Sequence, residues 1–142
     1  MSAIPASIPS SHADLVTGPV YAALATHNDD GSIQVTVVWA GADDETLLVN
    51  TGRGRKKDRN LRRDPNATLF YLDPANPYRY LSVQGEVVEV IDEDDPDKGH
   101  LATETIDDFS ELYVNRRPYG NRRPGEVRVL FRIKPVKVLS QG

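Results

Sequence analysis

The chemistry of this chain concentrates in Arg53-Gly54-Arg55-Lys56-Lys57-Asp58-Arg59-Asn60-Leu61-Arg62-Arg63, where seven cationic side chains stand against one acid. Groups at that density suit the capture of an anion. Arginine offers a planar fork of donors to phosphate oxygens, and lysine offers a point charge. The segment falls at an expected strand-to-helix corner, where free N–H groups and a partial positive charge normally attract Asp or Glu. Arg53, Arg55, Lys56 and Lys57 stand there instead, and Gly52 and Gly54 let the backbone approach a ligand. Leu61 is the sole apolar residue from Arg53 to Asp64, so core coverage does not explain the helix. A small-molecule phosphate fits this corner; a solvated basic face paired with distant acids is the alternative.

Composition narrows the ligand. The 142 residues carry a formal net charge of −4, and outside the 53–63 segment acids outnumber bases about two to one. The positive charge is local, which argues against a nucleic-acid or membrane-surface protein, since these spread cations over a whole face. There is no cysteine, which removes disulfides, thiolate metal sites and cysteine nucleophiles. His12, His27 and His100 lie far apart, so no metal site is expected. Walker-type loops, nucleophile elbows and dinucleotide fingerprints are absent from the sequence. Without an export signal or a long apolar run, the expected location is cytoplasmic. The chain reads as one domain over 1–142, with a flexible N-terminus over 1–9.

The positioning elements are mainly strands. A short helix is expected from Ser10 or Ser11 to Val16, stopped by Gly18-Pro19. Strands are expected over Val20–His27, Ile33–Ala40, Thr46–Thr51, Ala67–Asp73, Arg79–Ile91 and Glu126–Leu139, from their β-branched and aromatic content. The loops Asn28–Gly31 and Gly41–Asp44 are too short for parallel crossovers, so the first three strands should form an antiparallel meander. In the last strand Val127, Val129, Phe131 and Ile133 mark a core face, and Arg128, Leu130, Arg132 and Lys134 a mostly wet one. Leu69-Phe70-Tyr71-Leu72 is apolar on both faces, which a closed or split barrel satisfies. Asp92–Asp97 should lead into a helix that buries Leu101, Ile106, Phe109 and Leu112, and Arg116–Gly125 should be an irregular loop.

Four further features bear on a site. Asn60 would lie one turn from Lys56 and Lys57, and could donate to a ligand or satisfy helix-end carbonyls. Gln34 and Thr36 share a strand face that could meet a planar heterocycle or be half exposed. Tyr78 and Tyr80 stand at strand spacing and could wall a pocket, staple an interface or pack in the core. Gly85 marks a bulge or a close backbone approach.

From the basic corner through Asn60-Leu61-Arg62-Arg63-Asp64-Pro65 and Ala67-Thr68-Leu69-Phe70, the chain resembles the pyridoxamine-phosphate-oxidase-like split-barrel family. Val20–Thr26, Gln34–Trp39, Asn76–Gly85 and Arg123-Pro124-Gly125-Glu126-Val127-Arg128-Val129 resemble its branch that uses the deazaflavin coenzyme F420. The resemblance implies a mainly β fold, a six-stranded antiparallel split β-barrel of Greek-key type, assembled as a homodimer with cofactor sites at the interface. It implies phosphate contacts at Arg55, Lys56 and Lys57 with Asn60 beside them, ring contacts at Gln34, Thr36, Asn50 and Thr51, and Tyr78 and Tyr80 supplied by the partner subunit. Arg53, and Arg116 or Arg117, would suit a polyanionic glutamate tail. The Arg-x-His element that holds substrate phosphate in pyridoxamine phosphate oxidase is missing from Val136–Gly142, which weakens vitamin B6 oxidation as the activity.

The resulting expectation is an oxidoreductase that passes hydride from reduced F420 to a conjugated organic acceptor, with no side chain assigned as catalytic. Flavin mononucleotide (FMN) is the alternative cofactor. A non-catalytic F420 carrier and an RNA-binding module are the rival readings.

Overall fold

The computed structural model describes residues 3–142. In chain order, a 3-10 turn at Ser10–His12 leads to α1 (Ala13–Thr17), β1 (Ala22–His27), β2 (Ile33–Val38), β3 (Ala40–Ala42), β4 (Leu47–Gly52), α2 (Lys56–Arg63), β5 (Asn66–Leu72), β6 (Tyr80–Asp92), α3 (Gly99–Val114) and β7 (Arg128–Gln141). All seven strands join one antiparallel sheet in the order β2-β1-β5-β6-β7-β4-β3. The sheet is open at both ends, as in a split barrel.

The seventh strand arises from a break in the second expected one. Asn28–Ser32 closes the β1–β2 hairpin, with Gly31 in the left-handed region at φ 88°. β2 pairs only with β1 and stops at Val38, while β3 pairs with β4 after Trp39. The expected meander therefore forms with a break: the second expected strand, Ile33–Ala40, pairs antiparallel with β1 before Trp39 and with β4 after it. The chain changes partners at Trp39, and because this one residue joins β2 to β3 the two ends of the strand order lie side by side and the sheet curls into a barrel split there. Gly41 and Ala42 are strand residues, and the turn into β4 is built instead by Asp43, whose carboxylate accepts from the N–H groups of Glu45 and Thr46.

The main core gathers Leu24, Leu47, Val49, Leu69, Tyr71, Leu81, Val83, Phe131 and Ile133 from one sheet face. Leu61 of α2 is buried in the same cluster, so α2 is anchored by core contact after all. Of the apolar run in β5, Leu69 and Tyr71 are buried, whereas Phe70 is half-buried and Leu72 exposed; cover is complete on one face only. Pro5 and Ile8 are buried, Ile8 within the main core cluster; positions 1 and 2 lie outside the described residues.

On the opposite face, α3 buries Ala102, Ile106, Phe109 and Ser110. Leu101 and Leu112, expected inside, are exposed because the buried stripe runs along the neighbouring turn positions. α3 lies on β6 and β7, where Ala102 meets Ile91 and Leu130. That cover buries Arg128 and Leu130, which alternation had assigned to the wet face.

Gly85 is both a bulge and a close approach. The β6–β7 register shifts between Gln84 and Gly85, and a Cβ there would lie 2.5 Å from Ile133 Cγ2 and 2.9 Å from the Lys134 carbonyl oxygen. Gly85→Ala is expected to destabilise the protein by about 1–3 kcal/mol, read as a lower urea midpoint; an unchanged midpoint would contradict the packing described.

Candidate functional site

Strand β4 ends at Gly52 and the backbone turns at Gly54, φ 88°, before α2 begins with Arg55 as its N-cap residue. Arg55 contributes no side-chain cap. Asp58 supplies it: its carboxylate accepts from the Gly54 N–H at 2.8 Å. The first turn therefore does contain an acid, and Asp58 also pairs with Arg62 at 2.7 Å.

The seven cations then divide. Arg53 pairs with Asp92 (3.3 Å) and Asp94 (2.6 Å), and Arg62 with Asp58 and Asp92. Arg63 donates to the His27 carbonyl and to Asn60 Oδ1. Arg53 and Arg62 behave as the acid-paired basic face considered above, whereas Arg63 is held by a carbonyl and an amide oxygen. Arg55 has only a loose contact, 3.6 Å to Glu126. No carboxylate among the described residues lies within ion-pair distance of Lys56, Lys57 or Arg59.

Lys57 is the informative member. It is half-buried, and burial first, then the charges of Arg55 and Arg128, push its ammonium below the ordinary lysine range. It opens onto a cavity of about 230 Å³, lined on its polar side by Asn50, Thr51, Arg55, Lys57, Asn121 and Arg128. The apolar wall is Tyr21, Val37, Val38, Trp39, Ile106 and Tyr119. Trp39 stacks on Tyr113 at 5.5 Å and meets Tyr119 edge-on at 6.1 Å. One chain thus places a cationic floor beside an aromatic wall.

Arg128, 3% exposed, is held by its surroundings. Its Nε donates to Asn50 Oδ1 at 3.0 Å, Nη1 pairs with Glu126 at 3.1 Å, and the guanidinium centre lies 5.0 Å above the Tyr119 ring. Asn50 Nδ2 donates to the Ala102 carbonyl at 2.9 Å, tying β4 to α3. Glu93 braces the same corner, accepting from the Arg128 N–H at 3.1 Å, from the Thr103 hydroxyl and from both Arg122 amino groups.

Of the residues singled out in the sequence, Asn50, Thr51, Arg55 and Lys57 meet at this cavity. Arg53 is turned to the acids of the β6 end, and Arg117 pairs with Asp108 and Glu111. Lys56 and Asn60 border a separate cavity of about 150 Å³ with Asp29, Arg59 and Arg63. The Asn60 amide is engaged internally, donating to Thr26 Oγ1 at 3.1 Å and Asn28 Oδ1 at 2.9 Å, which pins α2 to β1. Gln34 and Thr36 are half-buried on β2, opposite Thr26 and Leu24, outside the cavity lining; Gln34 Oε1 is buried without a hydrogen-bond partner. Tyr78 is 81% exposed in the turn before β6, and Tyr80 packs on Phe70 at 5.3 Å. Sequence reasoning did not single out Tyr21, Trp39, Tyr119 and Arg128, which also line this cavity. Aromatics embedded in an arginine-rich loop, as at Tyr119, were the available signal.

The family model described as pyridoxamine 5'-phosphate oxidase matches residues 8–142. The chain belongs to this family. Among solved structures, it is similar to an F420 reductase, with 28% identity and a TM-score of 0.78, over 93% of this chain and 98% of the other. A conserved hypothetical protein from Mycobacterium tuberculosis matches at 25% identity and TM-score 0.70, over 94% and 84% of the two chains. The heme storage protein from Vibrio cholerae, at 17% identity, TM-score 0.63 and 87% of each chain, shares the fold. No curated protein matches. No metal-holding group of His, Asp and Glu occurs among the described residues, and no helix there is long and apolar enough to cross a membrane.

Arg122, assisted by Thr103 and the Arg128 N–H and opposed by partial burial, holds the Glu93 carboxyl down at about 2. Because that value lies below the ordinary 4.5, the stabilisation is complete above about pH 4.5 and is lost as pH falls toward 2. Glu93→Gln should lower stability at pH 7 and flatten the acid limb between those values in urea melts across pH; an acid limb as steep as that of the unaltered protein would contradict the assignment.

Proposed function

We propose that this protein is an F420-dependent oxidoreductase that delivers hydride from the reduced deazaflavin to a conjugated organic acceptor. The observation that carries the reading is Lys57, a half-buried ammonium beside Arg55 and Arg128 with no acid within ion-pair reach, at the mouth of an aromatic-walled cavity. A buried cation without a partner is costly in the free protein, and a bound phosphate relieves it. The bound deazaflavin supplies the hydride chemistry. The chain's own residues bind, orient and exclude water: Lys57, Arg55 and Arg128 would hold the phosphate, and Trp39, Tyr21 and Tyr119 would flank the ring. The similarity to an F420 reductase favours the deazaflavin; the family match keeps FMN as the second reading, since both cofactors offer a tricyclic ring and a phosphate.

The working unit is a homodimer with the site at the interface. Ile33, Val35 and Val37 are 59%, 62% and 70% exposed along the edge strand β2, and Val37 and Tyr21 also line the cavity. An apolar stripe of that kind seeks cover. A second subunit over it would deepen a cavity too shallow for the whole coenzyme and bring in side chains that one chain leaves outside, Tyr78 and Tyr80 among them.

Fluorescence titration with F420 and with FMN tests the cofactor, with tighter F420 binding expected and tighter FMN binding contradicting the deazaflavin. Lys57→Ala should raise the Kd about 10- to 100-fold through loss of a charge-assisted hydrogen bond, and an unchanged Kd would exclude this site. Stopped-flow oxidation of the reduced complex by enones and quinones should exceed the background rate; background turnover alone would identify a carrier.

A further inference from the structure

The split in the barrel is held by a residue that does not itself line the cavity. Tyr113, near the end of α3, directs its hydroxyl at the break between β2 and β3. The oxygen accepts from the Ala40 N–H at 3.1 Å and lies 2.9 Å from the carbonyl oxygens of Val20 and of Ala40, donating its one proton to either. Val20 leads into β1 and Ala40 opens β3, so one hydroxyl ties together the segments that flank the split. β3 is an edge strand with β4 as its sheet partner, and the hydroxyl takes the place of a second.

The Tyr113 ring acts separately from its hydroxyl. It stacks on Trp39 at 5.5 Å with 18° between the planes, and it meets Tyr21 edge-on at 5.4 Å. Trp39 and Tyr21 both line the cavity, whereas Tyr113 stands behind them. Close seating of α3 keeps it there: Phe109, one turn earlier, meets the Tyr113 ring at 6.4 Å, and a Cβ at Gly41 would come within 2.7 Å of Phe109 Cε1. The indole is held twice, through its ring by the stack and through its backbone by the clasp on the next residue.

We propose that Tyr113 is a positioning residue for the planar ring of the cofactor, acting through Trp39. The inference rests on the ring-binding reading of the cavity given above and deepens it. An aromatic wall binds a flat ring best when it is already in place, because ordering a loose indole at the moment of binding lowers affinity. Tyr113 imposes that order in the free protein. Tyr113→Phe keeps the stack and releases Ala40, so the indole loosens while remaining in the cavity wall.

The chain has one tryptophan, so tryptophan fluorescence reports Trp39 alone. Without cofactor, Tyr113→Phe should shift the Trp39 emission to the red and increase its quenching by acrylamide. Whichever of F420 and FMN binds the unaltered protein should bind the variant about three- to tenfold more weakly, the loss that goes with one hydrogen bond. Gly85→Ala, on β6 and outside the cavity lining, is the control; it should lower the melting temperature and leave emission, quenching and affinity as they are. Unchanged affinity in Tyr113→Phe, with or without a lower melting temperature, would make Tyr113 a structural brace and overturn the proposal, as would unchanged emission and quenching. If the variant does not fold, hydrogen exchange on the unaltered protein decides: the Ala40 amide should be protected although it lies on an edge strand, and free exchange there would remove the clasp and the proposal with it. Failure of the unaltered protein to bind either cofactor would defeat the functional reading, an outcome distinct from the fluorescence comparison, which needs no ligand.

Discussion

A half-buried ammonium with like charges beside it and no carboxylate in reach is unfavourable, and the structure is arranged around that tension at Lys57. Neutralisation was available: acids are abundant, and Asp58, Asp92 and Asp94 pair with Arg53 and Arg62 only a few residues away. Those pairs fasten α2 to the end of β6 and leave the inward face of the helix start positive. The same sequence cluster therefore serves two purposes, one structural and one for a ligand.

Holding such a corner rigid requires anchors on every side. Leu61 inserts into the core and Asn60 reaches β1, so α2 cannot tilt to bring Lys57 into water without breaking both. Across the cavity, α3 covers β7 and buries Arg128, which is oriented by Asn50, Glu126 and the Tyr119 ring. The break at Trp39 completes the arrangement. By ending β2 against β1 and starting β3 against β4, it leaves the indole beside the cavity and the apolar outer stripe of β2 uncovered.

The sequence made much of this legible and hid the rest for identifiable reasons. Strand positions and the cationic corner were readable because β-branched runs and charge density are local signals. Which cations remained free was not readable, since Asp92 and Asp94 are about 40 residues from Arg53 and meet it only through the sheet. Asn60 was open between ligand and structure, and its amide proves to be engaged by Thr26 and Asn28. Arg128 sat on the alternating polar positions of β7 and was read as wet, because alternation reports a face but not the helix that later covers it. Tyr119 lay in a loop with no periodicity to read. The seven-stranded count follows from one kink that strand propensity does not register.

The most direct measurement is the ionisation of Lys57, followed by NMR of the lysine side chains in the protein alone and with F420 added. The account predicts a Lys57 titration below that of the other lysines, moving upward when the coenzyme binds. A Lys57 that titrates with the others and does not move on adding either F420 or FMN would contradict it.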